Sequence, residues 1–288
     1  MWDATTLSRR LLPSETEMTS TRDVTKYMRF SYRDTVSYGL LEGGIVRELS
    51  GLFDDRAPTG REYALTDVNV LVPCEPSKVI AVGLNYKSHR VHVESTEGMF
   101  VTASGRPARS DYPVVFAKFP TSLIPHGREI VFPEGASNVH FEGELALIVG
   151  KKAKNIRQED AAQYVFGVTI CNDLVDREWL LEDLQWFRAK GSDGFGPIGP
   201  AIVTGLDYNN LDLKTRVNGE LRQSANTREL VFSPDQILSY CSRYVTLLPG
   251  DVILTGTPGR TERVTWGDTI EIEIEGVGTL LNKVASQQ

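Results

Sequence analysis

The sequence contains little cysteine, no long apolar run and no excess of basic residues. Its three cysteines, Cys74, Cys171 and Cys241, are too few and too scattered for a disulfide framework or a zinc site, and they predict a reducing, cytoplasmic setting. No segment approaches the roughly 20 consecutive apolar residues of a transmembrane helix. The chain has 31 Lys and Arg against 38 Asp and Glu, so its formal net charge is −7. This charge argues against a nucleic-acid partner and against a polybasic membrane-surface protein, which leaves a soluble enzyme or binding protein as the expectation.

The 288 residues divide by pattern into three parts. Residues 1–27 lack the apolar core of a secretory signal and carry several acids, so we expect a disordered or loosely docked extension. Alternating strands then predict a small N-terminal β domain over residues 28–75. Residues 76–288 are predicted to form one large, β-rich domain. Because its strands are not regularly separated by long helices, we expect an α+β fold and not a doubly wound sheet.

The strongest local signal predicts a helix that begins after Ser233. Ser233 suits the N-cap, Pro234 the first helical position and Gln236 the third position of a capping box. The helix should end near Tyr244.

Weaker signals predict further elements along the chain. A short helix is expected over Gln158–Gln163 with Asn155 as a candidate cap, and Arg177–Phe187 has helical spacing. The strands Thr269–Glu275 and Gly278–Val284 should pair through a tight turn.

Two glutamates lie two residues apart in a strand-like run, with a glycine between them. Residues i and i+2 of a strand point to one face, so Glu142 and Glu144 should project together, while Gly143 leaves the other face open for close packing. A third carboxylate, Asp173, follows a buried strand beside Asn172. Three carboxylates with waters form the hard, all-oxygen site that suits Mg²⁺ or Mn²⁺. The alternative is a solvent-facing strand with two ordinary glutamates.

Seven short motifs follow one another between Lys78 and Val284. They are Gly83–His89, Pro113–Lys118, His140–Leu145, Asn172–Arg177, Lys190–Pro200, Val217–Gly219 and Leu254–Pro258. Each motif is weak alone, but in this order they resemble the fumarylacetoacetate hydrolase family. The resemblance implies a mixed β-sandwich roll with a small N-terminal β domain. It also implies a bound Mg²⁺ or Mn²⁺ ion (with Ca²⁺ as an in vitro substitute) and a homodimer.

The resemblance assigns roles to residues of this chain. Glu142, Glu144 and Asp173 match the three metal carboxylates of the family. Lys190 matches its lysine near the metal and the substrate, against the alternative of a surface lysine. Tyr86, Arg177 and Thr257 match residues that bind the substrate in the family.

The implied chemistry is that of a metal-dependent hydrolase in catabolism. It would cleave a C–C bond in a 2,4-dioxo acid of the acylpyruvate or fumarylpyruvate type through a metal-stabilised enolate. Lys190 and Arg177 would add fixed positive charge where the oxyanion develops.

Water activation needs a base, and His89 is the candidate because histidine titrates near neutrality. Related hydrolases have a glutamate three residues after this histidine, whereas this chain has His92 there. Either Glu94 or Glu97 reaches His89, with Glu94 taken as the catalytic partner, or the hydrolytic dyad is absent. The departure keeps a second prediction open, which is a decarboxylase, isomerase or dehydratase of a 2-oxo acid at the same metal site. A third prediction is a non-catalytic metal- or oxo-acid-binding protein that has lost its base.

Two further departures concern the rim of the predicted site. The family often has an oxyanion glutamine where this chain has Leu180, so that donor is missing unless Gln185 supplies it. After Gly259 the chain reads Arg260-Thr261-Glu262-Arg263 in place of a Gly-Val-Gly loop. Either of these two arginines meets a substrate carboxylate, or both are solvated.

Two remaining histidines carry weaker signals. His140 precedes the metal strand and is expected to be structural, with a supporting role behind the metal as the alternative, and His126 carries no specific signal.

Overall fold

Two β-sheets pack face to face in this protein. The structure is a computed structural model, which describes residues 23–93 and 111–286 in full and the backbone of residues 94–96. The described strands are β1 (Thr25–Tyr32), β2 (Thr35–Glu42), β3 (Ile45–Leu49), β4 (Pro58–Ala64), β5 (Asn69–Val70), β6 (Val79–Gly83), β7 (Val114–Lys118), β8 (Leu123–Pro125), β9 (Val139–His140), β10 (Gly143–Val149), β11 (Val165–Asn172), β12 (Val175–Asp176), β13 (Gly196–Thr204), β14 (Asp212–Val217), β15 (Glu220–Asn226), β16 (Val252–Leu254), β17 (Thr269–Ile274) and β18 (Gly278–Lys283). The described α-helices are α1 (Lys87–Thr96), α2 (Arg177–Glu182), α3 (Phe187–Gly191) and α4 (Pro234–Tyr244). Short 3₁₀ segments lie at Leu65–Asp67, Pro120–Ser122, Gln158–Tyr164 and Thr227–Glu229. The strand-rich content confirms the predicted α+β, β-rich class.

The larger sheet has twelve described strands and is mixed. Its order is β4-β3-β2-β1-β13-β11-β10-β16-β6-β7, with β5 paired to β1 and β8 paired to β13. The β13–β8 and β16–β6 pairs are parallel, and the remaining pairs are antiparallel. The smaller sheet is antiparallel in the order β15-β14-β17-β18, and β9 pairs separately with β12. This arrangement is the predicted mixed sandwich, with β10 and β11 in the middle of the larger sheet.

Strand β10 is buried on both faces, and its side chains alternate between two cores. Leu145 and Leu147 belong to the core between the two sheets, whereas Ala146 and Ile148 belong to the core on the opposite face. Burying one leucine side chain contributes roughly 1.5–3 kcal/mol, so a strand with two buried faces is firmly held. The even-numbered face is the one on which Glu144 lies.

The N-terminal strands form a small β region that continues the larger sheet. Strand β1 pairs with β13, for example Lys26 with Val203, and a core of its own contains Met28, Phe30 and Val46. The boundaries predicted at residues 27 and 75 stay a prediction, and most of the predicted extension lies outside the described residues. In the described part of the chain, no helix has the length and apolar character needed to cross a membrane.

The structure confirms helix α4 and corrects two other local predictions. Ser233 caps α4, and its side chain and that of Gln236 form the predicted capping box. Asn155 is not a cap, because it has a positive φ of 53° and the 3₁₀ segment begins three residues later, at Gln158, with Arg157 at its N-cap. The single helix predicted over Arg177–Phe187 is two short helices, α2 and α3.

Candidate metal centre and substrate cavity

Three buried carboxylates meet where β10 begins and β11 ends. Glu142 comes immediately before β10, and Glu144 is the second residue of that strand. Asp173 follows β11, and its backbone N–H donates to the Glu142 carbonyl oxygen at 2.8 Å. One oxygen from each of Glu142, Glu144 and Asp173 lies within 4.8 Å of the others. The expected projection of both glutamates to one face is therefore what the structure shows.

Close packing on the opposite face explains the glycine between the two glutamates. A Cβ atom on Gly143 would collide with Thr215 Oγ1, and it would lie 3.2 Å from both Gln223 Oε1 and Ile272 Cγ2. These neighbours belong to the smaller sheet. The smaller sheet therefore presses directly against the strand that carries the glutamates, as the sequence predicted.

Two buried lysines share the negative charge of the triad. Lys190 Nζ donates to Glu142 Oε2 at 2.7 Å and to Asp173 Oδ2 at 2.8 Å. Lys118 Nζ lies 2.8 Å from Asp173 Oδ1 and also donates to the Lys190 carbonyl oxygen. Burial by itself disfavours the ammonium form, but the Asp173 and Glu142 carboxylates raise the pKa of Lys190 above its usual value. Lys190 is therefore a fixed positive charge beside the triad.

Glu144 is the carboxyl group of the triad to which neither lysine donates a hydrogen bond. Glu144 accepts a hydrogen bond from Gly256 N at 2.6 Å, whereas both lysines bond to the other two acids. Burial, followed by repulsion from Asp173 and Glu142, raises the pKa of Glu144 well above its usual value. A divalent cation relieves such repulsion, and an all-carboxylate donor set is the kind that hard cations prefer. The residues present therefore fit a divalent metal ion.

A cavity opens beside the triad and contains most of the predicted site residues. Its lining comprises Val82, Gly83, Leu84, His89, Phe116, Glu142, Glu144, Arg177, Leu180, Trp186, Lys190 and Thr257. The structure thus brings the predicted base, both metal glutamates, the lysine and two predicted substrate residues to one place. Asp173 lies directly behind it, bonded to Lys190.

His89 is held by a backbone carbonyl. Its Nδ1 atom lies 2.7 Å from the Gly259 carbonyl oxygen, while the Gly259 N–H donates to the neighbouring Ser88 Oγ at 3.0 Å. A carbonyl oxygen only accepts, so Nδ1 carries the proton and Nε2 is left as the basic nitrogen. Burial lowers the pKa of His89 below its usual value. The ring is therefore neutral at neutral pH, with its basic atom defined.

The pairing of His89 with Glu94 or Glu97 stays a prediction. Glu94 lies in α1, but its side chain is outside the described residues, as is Glu97. His89 Nδ1 is bonded to the Gly259 carbonyl, which leaves Nε2 for any other partner. His92 lies one turn along the helix, with its ring centroid 6.5 Å from that of His89.

Two of the three predicted substrate residues line the cavity. Thr257 is buried there, and its hydroxyl oxygen accepts from Gln223 Nε2 at 2.9 Å. Arg177 begins α2 and places Nη2 4.0 Å from Glu142 Oε1. Tyr86 is fully buried and does not line the cavity, and its hydroxyl has no hydrogen-bond partner within the described ranges. Its role at the substrate stays a prediction.

The rim residues differ in their positions. Leu180 lines the cavity, while Gln185 is exposed between α2 and α3 and does not line it. Arg260 and Arg263 are both exposed, and Arg260 lies 3.5 Å from Glu262. The cavity wall is therefore apolar at Leu180, and contact of either arginine with a substrate carboxylate stays a prediction.

Sequence reasoning missed Lys118 and Gln223. Lys118 ends a matching motif but follows exposed positions in β7, so no pattern shows that it is buried against Asp173. Gln223 lies in β15 of the smaller sheet, far along the chain from the residues it contacts. It donates to the Pro258 carbonyl oxygen at 2.7 Å and accepts from Gly143 N at 3.3 Å. It joins the metal strand to the turn that carries Thr257.

Comparison with known proteins identifies the family. The family model described as fumarylacetoacetate hydrolase C-terminal matches residues 78–285, and a model described as Rv2993c-like, N-terminal, matches residues 25–73. The chain belongs to the fumarylacetoacetate hydrolase family. The predicted resemblance is confirmed, and the triad, Lys190 and the His89 cavity all lie within the matched region.

Relatives of this family member have several activities. The mitochondrial oxaloacetate tautomerase Fahd2a of Rattus norvegicus is 37% identical over 231 residues, which covers 76% of this chain and 70% of the relative. The structure of 5-carboxymethyl-2-hydroxymuconate delta-isomerase from Mycobacterium smegmatis is 38% identical, with a TM-score of 0.82, over 91% of this chain and 100% of the other. Maleylpyruvate hydrolase from Sphingobium sp. SYK-6, in complex with manganese and pyruvate, is 28% identical, with a TM-score of 0.73 and the same coverages. Family membership therefore indicates an enzyme acting on oxo acids and leaves the reaction open.

Proposed function

We propose that this enzyme catalyses a proton transfer within a small 2-oxo acid, as a tautomerase or isomerase, at a divalent-metal centre. Glu142, Glu144 and Asp173 would hold Mg²⁺ or Mn²⁺. When bound, the cation would act as a Lewis acid on the carbonyl group and make the neighbouring C–H bond more acidic. The observation that carries the proposal is the bond between His89 Nδ1 and the Gly259 carbonyl.

That bond favours proton transfer over hydrolysis. Burial lowers the pKa of His89 below its usual value, and the neutral Gly259 carbonyl opposes this less than a carboxylate on Nδ1 would. A base without a carboxylate partner can still move one proton, because the bound cation would make the neighbouring C–H bond more acidic. His89 Nε2 takes the proton from the carbon beside the carbonyl and returns it to oxygen or to another carbon.

The other cavity residues would bind and orient the substrate. Lys190 Nζ provides a fixed positive charge beside the carbonyl oxygen, and Arg177 provides a second charge for a carboxylate or an oxyanion. Because Lys190 Nζ already donates to three protein oxygens, Arg177 would be the hydrogen-bond donor, and loss of such a donor typically lowers kcat by about 10²–10³. The tautomerase and isomerase activities of relatives that are 37% and 38% identical support the same reaction class.

Hydrolysis of a C–C bond in a 2,4-dioxo acid is the second candidate. The observation in its favour is the 28% identical maleylpyruvate hydrolase, which matches 91% of this chain. In that case His89 Nε2 would deprotonate water, with Lys190 and Arg177 again facing the oxygen that gains charge.

Exchange of hydrogen for deuterium distinguishes the candidates. Oxaloacetate and pyruvate would each be incubated with the enzyme and Mn²⁺ in D₂O and followed by NMR. An acylpyruvate would be incubated in the same way to detect cleavage, and release of carbon dioxide would be measured in a separate assay. Proton transfer predicts fast exchange at the carbon beside the carbonyl, or faster keto–enol conversion, with no cleavage. Cleavage of the acylpyruvate without exchange would favour hydrolysis, and carbon dioxide release would favour decarboxylation.

We further propose that the enzyme is a homodimer that uses the surface of α2 and α3. Large apolar side chains are exposed there, with Leu181 78%, Leu184 82% and Phe187 66% exposed. Clustered exposed apolar residues of this kind are typical of interaction sites. This surface lies next to the cavity, because Leu180 and Trp186 of the same α2–α3 segment line the cavity.

A further inference from the structure

One residue of the rim loop points inward while its neighbours face solvent. Thr261 is only 3% exposed, whereas Arg260 and Arg263 are exposed. The loop is held by β9: Arg263 forms a bridge with His140, and Val264 N donates to the Val139 carbonyl oxygen at 2.8 Å. The part of the rim at which this chain departs from the common family loop is therefore firmly attached to the site.

The Thr261 hydroxyl joins Arg177 to His140. Arg177 Nη2 donates to Thr261 Oγ1 at 2.8 Å. The same oxygen lies 3.3 Å from His140 Nδ1, and His140 Nε2 lies 3.0 Å from Asn138 Oδ1. The chain of bonds ends at the surface, where Asn138 Nδ2 donates to Glu178 Oε1 at 3.1 Å.

The donors and acceptors along this chain follow from its two ends, a carboxylate that only accepts and a guanidinium that only donates. The Asn138 amide donates to a carboxylate, so its oxygen faces His140 and accepts from Nε2–H. His140 Nδ1 is then the accepting nitrogen, and it receives the Thr261 hydroxyl hydrogen. The lone pairs of Thr261 Oγ1 are left for Arg177, which can only donate. A threonine in this position therefore presents an oriented acceptor to the guanidinium group.

This oriented acceptor acts on a side chain that lines the cavity. Arg177 has many rotamers, and an arginine side chain loses conformational entropy when it is fixed. The bond to Thr261 fixes it in the folded protein, before any ligand arrives. Nη2 then remains 4.0 Å from Glu142 Oε1, at the edge of the carboxylate triad.

We propose that Thr261, oriented by His140, is a positioning residue that holds the Arg177 guanidinium ready for the carboxylate or oxyanion of the substrate. The inference rests on the proposed function, because it takes the ligand of Arg177 to be a 2-oxo acid. Thr261 itself touches neither the substrate nor the reacting atoms. Its effect is on substrate affinity and orientation, not on the metal.

Calorimetry with pyruvate in the presence of Mn²⁺ tests the inference. Thr261→Val keeps the shape and removes the hydroxyl, and we expect it to weaken pyruvate binding about tenfold, because a hydrogen bond to a charged group is lost. Thr261→Ser keeps the hydroxyl and should bind pyruvate nearly as the wild type does. The exposed Thr279→Val is the matched control and should change nothing. Binding of Mn²⁺ alone should be the same in all four proteins.

The double variant separates positioning from a general structural effect. If Thr261 acts through Arg177, Thr261→Val should have no further effect on pyruvate binding in an Arg177→Ala background. Independent effects that multiply, or equal loss in Thr261→Val and Thr261→Ser, would overturn the inference while the proposed function stands. A wild-type enzyme that binds Mn²⁺ but no 2-oxo acid would overturn the proposed function and the inference with it.

Discussion

Lys118 Nζ donates a hydrogen bond to the backbone carbonyl oxygen of Lys190, so one buried lysine fixes the position of the other. Lys118 also pairs with Asp173 at 2.8 Å, on the side of that carboxylate opposite Lys190. Asp173 is thus held between two ammonium groups, and Lys118 and Lys190 together lower the pKa of its carboxyl against the opposing effect of burial. Lys118, which the motifs did not single out, therefore supports Lys190 and Asp173, which they did.

Replacing Lys118 should destabilise the fold, and the metal should compensate. Lys118→Met leaves a buried carboxylate short of one partner, so the free energy of unfolding should fall by about 3 kcal/mol. Because a cation replaces the missing positive charge, Mn²⁺ should stabilise this variant more than the wild type. Urea unfolding with and without Mn²⁺ measures both effects. The exposed Lys152→Met is the control, and an equal loss in both variants would contradict the assignment.

Removing one carboxylate of the triad should remove metal-dependent stability. Mn²⁺ at about 100 times its dissociation constant should add about 2.7 kcal/mol to the unfolding free energy of the wild type. Glu144→Gln should lose most of this gain, and the exposed Glu134→Gln should keep it. Because the pKa of Glu144 is raised, the cation displaces a proton, so Mn²⁺ affinity should increase as pH rises. A gain from Mn²⁺ that survives in Glu144→Gln would rule out this site.

The His89 base predicts both a mutational effect and a pH profile. His89→Asn should slow deuterium exchange into a 2-oxo acid by about 10²–10⁴ while Mn²⁺ binding is unchanged. His92→Asn, one turn along α1, should have little effect. Since the base must be unprotonated and burial lowers its pKa, wild-type activity should be retained as pH falls to 6.5 and be lost only below it. A profile that falls well above pH 6.5 would argue against His89 as the base.

The proposed dimer surface predicts a change in mass. Light scattering after gel filtration should give twice the mass of the chain for the wild type. Charged substitutions at the α2–α3 surface, Leu184→Asp and Phe187→Asp, should shift the mass toward one chain. The control is Val36→Asp, at an apolar side chain that is 51% exposed on β2. A wild type that elutes as a monomer would refute the proposal.

The sequence predicted those elements whose signals are local. Helix α4 was recognisable because a capping box and a proline mark its first turn. The two glutamates were placed correctly because strand alternation depends only on the spacing of neighbours. The break between α2 and α3 was not visible, since it depends on Asp183, whose carboxylate accepts from the N–H groups of Arg188 and Ala189. Trp186 then has a positive φ of 57°, which no residue pattern indicates.

Other parts of the site depend on contacts between distant segments. Thr261 contacts a residue 84 positions earlier in the chain, and it lies in the rim loop where this chain departs from the common family sequence. Gln223 reaches the Pro258 turn from another sheet. The bond of His89 to the Gly259 backbone spans 170 positions, and no motif indicates it. A single sequence does not show which distant segments lie side by side, so these contacts could not be predicted from it.

Gly143 limits how this enzyme can change. Any side chain there would meet Thr215 and Gln223 of the smaller sheet, so a substitution would separate the sheets and move both neighbouring glutamates together. Stability and catalysis therefore share one position, and a variant that harms one of them harms the other. Arg260 and Arg263 at the rim are exposed, so replacing them leaves the packing between the sheets unchanged. Changes at the rim can therefore alter the entrance to the cavity without moving the carboxylate triad.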